Sequence, residues 1–274
     1  MSTQTFNYLL FGAHPDDCDF RFGATAMKLR ELGHNVKFVS MTNGDTGHHQ
    51  IGGGELARRR YAEAQAAAEI ADVEYEILDI HNGEIQTTVR NRWTVIELMR
   101  EFDADVVMCH RANDYHPDHR TVGQLVQDAS YTVTVPNVAP LTPALKEMPV
   151  LFYYYDRFKD PTPFRADVAV DTDDVFERKV DMIACHVSQV FEWLPYNRDA
   201  GTEVPDDEAG RREYLRQQLV ERFKRQADDG RECLAKWYGE KHAAEVQSAE
   251  CFMISEYGRL PSDEELAEFF PFLG

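Results

Sequence analysis

Two short apolar runs, each ending in a dense group of imidazoles and carboxylates, constrain this chain more than any other feature. Asn7-Tyr8-Leu9-Leu10-Phe11-Gly12-Ala13 reads as a buried strand and delivers His14-Pro15-Asp16-Asp17. About a hundred residues on, Asp105-Val106-Val107-Met108-Cys109-His110 reads as a second one, and the polar stretch after it closes on His116-Pro117-Asp118-His119. In an open α/β sheet, ligands bind beyond the carboxyl ends of the strands, where loops converge while helices cover both faces. Both groups are therefore expected on one rim.

The rest of the early chain agrees with such a sheet. Strand-like stretches near 7–12, 36–41, 74–79 and 105–109 alternate with helix-like stretches near 23–33, 55–71, 89–102 and 118–132. That order predicts parallel strands with crossover helices. A chain of 274 residues with 43% apolar content can bury one large core, and no low-complexity linker divides it, so a single domain over 1–274 is expected.

Imidazole and carboxylate are ligand types that a borderline-soft divalent cation accepts, and a catalytic centre needs three of them plus an open position for water. His14, Asp17 and His119 can supply the three. Asp16 adjoins a ligand without having to bind the ion, which suits a base that holds the attacking water. His116 lies three residues before His119 and suits the acid that protonates the leaving group. Asp118 reads as a carboxylate that orients an imidazole rather than as a ligand.

Gly12-Ala13-His14-Pro15-Asp16-Asp17 with a downstream His-Pro-Asp-His resembles the LmbE-like, or PIG-L, zinc-dependent de-N-acetylases, which act on N-acetylglucosamine-containing substrates. In that family the first motif continues with any residue and a Glu; here Asp19 stands in the Glu position, a carboxylate one methylene shorter. Thr42-Asn43-Gly44-Asp45, the helix Glu55 to Glu69 and Ala184-Cys185-His186-Val187-Ser188-Gln189 extend the likeness over roughly the first 190 residues. The resemblance implies a Rossmann-like α/β fold, mostly parallel, with a C-terminal elaboration from about 191. It also implies Zn2+ on His14, Asp17 and His119, Asp16 as base, His116 as acid or oxyanion stabiliser, a small amino-sugar substrate, and a homo-oligomer.

Substrate contacts are less constrained. Arg58-Arg59-Arg60 points three ways from its helix, and the resemblance favours Arg58 as the cation at the site mouth. Asp114 and Tyr115, directly before the second group, are placed to touch a substrate hydroxyl. His48 and His49 lie in a Gly-rich loop, where exposed histidines without partners are the commoner case, and His186 sits in an apolar helical context that favours a structural role.

Beyond residue 149, Val150 to Tyr155 and Asp167 to Val170 read as strands, Val175 to Val187 as a helix, Pro195 to Gly210 as an exposed acidic loop, Arg211 to Ala227 and Arg231 to Tyr238 as helices, and Cys251 to Ile254 as a late strand. Net charge is −19, from 29 Lys and Arg against 48 Asp and Glu, which disfavours nucleic acid and anionic membranes and predicts a neutral or cationic substrate. Five widely spaced cysteines do not form a disulfide framework, and no apolar run reaches the ~20 residues of a spanning helix, so a cytoplasmic protein is expected. Two other readings compete with deacetylation: an amidase acting on a glucosaminyl thiol conjugate, and a non-catalytic sugar- or nucleotide-binding module. The second is weakened because no Gly-x-Gly-x-x-Gly loop follows the first strand.

Overall fold

The apolar run from Asn7 forms β1 (Asn7–Gly12), and the computed structural model, which describes residues 4–198 and 203–273, builds a seven-stranded sheet around it. On one side lie β2 (Asn35–Ser40) and then β3 (Glu74–Ile77); on the other lie β4 (Val106–Cys109) and then β5 (Val150–Tyr154), all five parallel. β6 (Val168–Asp171) and β7 (Ala249–Ile254) complete the order β3-β2-β1-β4-β5-β7-β6, with β7 antiparallel to both of its neighbours. The fold is the expected mostly parallel α/β sheet, finished by an antiparallel edge. Because the strand order reverses between β1 and β4, their carboxyl ends flank the crevice where such sheets bind ligands.

Helices α1 (Asp17–Glu31), α2 (Gly53–Ala71), α3 (Val89–Glu101) and α4 (Pro117–Thr132) cover the two faces. Side chains alternate along each strand. Leu9, Phe11, Val107 and Cys109 therefore pack with Val95, Met99, Val122 and Val126 of α3 and α4, while Tyr8, Leu10 and Met108 pack with Phe22, Leu29 and Ala64 of α1 and α2.

The first helix begins at Asp17, not near residue 23. The chain turns at His14, whose carbonyl accepts the N–H groups of Asp16 (2.8 Å) and Asp17 (3.2 Å), so helix follows the strand at once. The apolar periodicity is masked there because the first turn buries Asp17 and Asp19.

In the later chain, α5 (Phe176–Ala184) stops short of the expected Val187. A π-helical turn (Ser188–Trp193) and α6 (Leu194–Arg198) follow it, then α7 (Glu208–Asp229), α8 (Arg231–Tyr238), α9 (Glu240–Glu245) and α10 (Asp263–Phe269). The expected loop from Pro195 to Gly210 is thus helical at both ends, and Asp199 and Gly201 lie outside the described residues. Val180, Ile183, Leu215, Leu219 and Phe223 of α5 and α7 pack with Met27 of α1 and Ala67 of α2, which joins the elaboration to the early half. Among the described residues, no helix is long and apolar enough to cross a membrane.

Candidate metal centre

Close backbone approach brings the two groups together. A Cβ on Gly12 would stand 2.8 Å from Asp17 Cβ, and one on Gly123 of α4 would stand 2.6 Å from the His110 carbonyl, so glycine at both positions lets each helix start hard against its strand end. Asp17 Oδ2 then accepts the N–H groups of Ala13 and His14, both at 2.9 Å. This fixes the carboxylate at the end of β1.

Three donors converge. His119 Nε2 lies 3.3 Å from His14 Nδ1 and 3.5 Å from Asp17 Oδ1, and His14 Nδ1 lies 3.4 Å from Asp17 Oδ2. A four-coordinate divalent ion with bonds of about 2.0–2.1 Å separates its donors by about 3.4 Å, so the spacing fits such an ion. The wider set of His14, His116 and His119, and that of Asp17, His110 and His119, also bring ligand atoms within metal-holding range. The His/Asp cluster can coordinate a divalent metal.

The outer supports cross between the groups. His14 Nε2 lies 3.2 Å from Asp118 Oδ2, which also accepts the Gly83 N–H at 2.7 Å. His119 Nδ1 lies 3.0 Å from Asp114 Oδ1, and Asp114 accepts the His116 N–H at 2.9 Å. Such carboxylates set the tautomer and direction of a ligating imidazole. His110, at the end of β4, places Nε2 3.3 Å from Asp17 Oδ2 and stacks on His119 with ring centroids 4.0 Å apart.

The charges follow from this packing. Burial opposes ionisation of Asp17, but the imidazoles of His119 and His110 outweigh it and hold the carboxyl well below its ordinary range. Burial likewise disfavours a charged His14, yet the carboxylates of Asp118 and Asp17 raise it to about 9. A centre that draws a proton onto histidine this strongly draws cations in general, and metal binding there would release that proton. His116 moves the other way, to about 4, through burial and the neighbouring His14 and His119. Its Nδ1 accepts the Asp118 N–H at 3.2 Å as the cap of α4, which leaves the ring proton on Nε2.

Asp16, His116 and Tyr115 line the cleft beside the triad, and Tyr115 is exposed at its rim. Arg58 does not line it. Arg58 is exposed on the outer side of α2, and Arg60 is the arginine that turns inward, with Nη2 2.9 Å from Asp16 Oδ1. Leu56, Arg60, Ala64 and Ala67 form one buried stripe, so helical spacing alone would have picked Arg60 out of the three. Asp114 is also corrected: it is buried behind His119 rather than facing substrate, because its carboxylate is taken up by the imidazole and by the cap of α4.

Three further histidines lie against neighbours of their own. His48 pairs with Glu192 at 2.9 Å, His49 stacks on Tyr196, and buried His186 lies 3.3 Å from buried Asp19. Ser188 donates to Glu63 at 2.6 Å and Gln189 to the Gly47 carbonyl at 3.0 Å, so the π-helical turn is tied to α2 and its preceding loop and forms one wall of the cleft. His110 and Arg60 were absent from the sequence-based site. The signal for His110 was its position directly after a fully buried strand.

Comparison with known proteins agrees with this geometry. The family model described as GlcNAc-PI de-N-acetylase matches residues 9–130. The chain is 32% identical over 202 residues to diacetylchitobiose deacetylase of Thermococcus kodakarensis, covering 68% of this chain and 72% of that one. N,N'-diacetylchitobiose deacetylase of Pyrococcus horikoshii superposes with a TM-score of 0.67 at 25% identity, over 91% of this chain and 84% of that one. The 4-carboxy-2-hydroxymuconate hydratase of Pseudomonas putida superposes at 0.70 with 18% identity, over 94% and 99%, so the same fold also carries a different reaction.

Proposed function

Since the chain belongs to the PIG-L/LmbE-like deacetylase family, we propose that it is a metal-dependent amide hydrolase that removes the acetyl group from the N-acetyl of a small N-acetylglucosamine-type sugar or glycoside. The observation that carries the reading is the convergence of His14 Nδ1, Asp17 and His119 Nε2 at 3.3–3.5 Å beside a carboxylate and an imidazole outside the triad. The triad would hold Zn2+, which when bound polarises the amide carbonyl and acidifies water.

Asp16 is the base. Arg60 holds one of its oxygens, which orients the carboxylate over the cleft and leaves the other free to take the proton of the attacking water. His116 donates its Nε2–H hydrogen bond to the carbonyl oxygen as negative charge develops, and the proton that Asp16 takes from the water goes on to the departing amine nitrogen. Tyr115 at the rim contacts the sugar. Amide C–N cleavage yields free amine and acetate. Completion of one sheet by β6 and β7 supports a single unit over 1–274, and the five free cysteines, four of them buried, support a reducing cytoplasmic setting.

The test is acetate release from N,N'-diacetylchitobiose by purified protein with its metal content measured in parallel. We expect about one zinc per chain and turnover that chelation abolishes and zinc restores. Metal-loaded protein that releases no acetate from any N-acetylglucosamine derivative would overturn the reading.

A further inference from the structure

The metal cleft opens sideways into a larger cavity of about 750 Å³, and Phe20, Arg21, Tyr115, Leu194, Arg198 and Arg222 line both. Arg157 and Arg225 lie farther along the same wall. Five arginines thus border one cavity of a chain whose net charge is −19. The wall's two acids do little to offset them: Asp156 is bound on both oxygens by Arg111, at 2.5 and 2.6 Å, and Glu221 is exposed.

The three arginines shared with the metal cleft lack carboxylate partners among the described residues. Arg222 lies over the Phe20 ring at 4.7 Å, Arg21 donates to the Tyr155 carbonyl, and Arg198 reaches Gln218 Oε1 at 3.4 Å. Other arginines near the site are paired with acids, as in Arg59–Glu192, Arg60–Asp16 and Arg111–Asp156. Burial and the repulsion of Arg21 and Arg198 lower Arg222 to about 9. Such a gathering is unfavourable unless an anion shares it, and arginine forks match carboxylate and phosphate oxygens.

Building on the deacetylase reading, we propose that Arg21, Arg198 and Arg222 form an anion subsite, so that the preferred substrate carries a carboxylate or phosphate on the side of the sugar away from its acetamide. Phe20, on α1 one turn from Asp16 and Asp17, lines both cavities beside the three arginines, so a sugar with its acetamide at the triad can turn its far side to them. This departs from the neutral or cationic substrate that total charge predicts. Charge summed over a surface does not describe one cavity.

The test compares kcat/KM of the zinc-loaded full chain on three N-acetylglucosaminides: one neutral, one with a carboxylate in the aglycone and one with a phosphate. We expect at least one anionic substrate to be preferred about tenfold or more, as a charge-assisted hydrogen bond to the anion would give. The better of the two identifies the anion. Arg222→Gln, and separately the solvent-exposed Arg198→Gln, should each cut that ratio severalfold or more. Lys224→Gln, which removes one charge from an exposed position of α7 outside the cavity, should leave it unchanged. Calorimetric binding of the three deacetylated products reads the same preference without turnover, so a preference there without acetate release would sink the deacetylase reading and keep the subsite. Equal or better use of the neutral sugar, or a ratio that neither arginine variant alters, would overturn the proposal.

Discussion

The two His-Pro-Asp groups use nearly the same four residue types at the same kind of strand-to-helix junction, yet they divide the work differently. In the proposed centre the first gives two donors, His14 and Asp17, and sends Asp16 to Arg60. The second gives one donor, His119, and spends Asp118 on holding His14 of the first. Neither group is complete alone. An ion held there would clamp the ends of β1 and β4, so the centre and the central crevice of the sheet stand or fall together.

The sharpest way to break this picture is to remove one donor from each side. His119→Ala should lose stoichiometric metal and at least about a thousandfold in kcat/KM, read by metal analysis and acetate release. Retained metal at wild-type affinity would mean that the second group does not share the ion. Asp16→Asn tests the division within the first group: it should keep the metal and lose about 10²–10⁴ in rate. Should it strip the metal instead, the parts given to Asp16 and Asp17 must be exchanged.

A smaller effect probes the crossing support. Asp118→Asn should weaken metal affinity about 10–100-fold by loosening His14, although residue 118 lies outside the proposed triad. Competition with a chelator measures this, and an unchanged affinity would make Asp118 a purely local cap.

An effect of comparable size is electrostatic and separates His14 from His110 by sign in metal-stripped protein. Burial and His119 lower His110 to about 4, against an unfolded value near 6.5, so the unfolded chain binds more protons between those limits. Its contribution is therefore lost as pH falls from about 6.5 to about 4. His14, raised to about 9, contributes fully below about 6.5 and loses that contribution as pH rises to about 9. Denaturant midpoints against pH should show each slope disappear in His110→Gln and His14→Gln respectively, at roughly 3 kcal/mol per group. Parallel slopes in the two variants would contradict the opposed environments.

Much of this was legible in the chain. Short apolar runs marked β1 and β4, and the ligand types beyond them marked the chemistry, because both signals lie in contiguous residues. The start of α1 was not legible, since its first turn buries Asp17 and Asp19 toward the site and so breaks the apolar period. Arg60 was legible in the spacing of Leu56, Arg60, Ala64 and Ala67, but its partner Asp16, 44 residues away, was not.

Local order in the chain thus determined the alternation of strand and helix, the rim on which the two groups stand and the donors they offer. Three-dimensional packing alone decided that Asp118 backs His14 across 104 positions, that Asp114 stands behind His119, and that five arginines gather in one cavity of an acidic protein. The reason is physical: periodicity and motif are properties of neighbouring residues, whereas a hydrogen bond or a local potential depends on distances between side chains that only the closed sheet brings together.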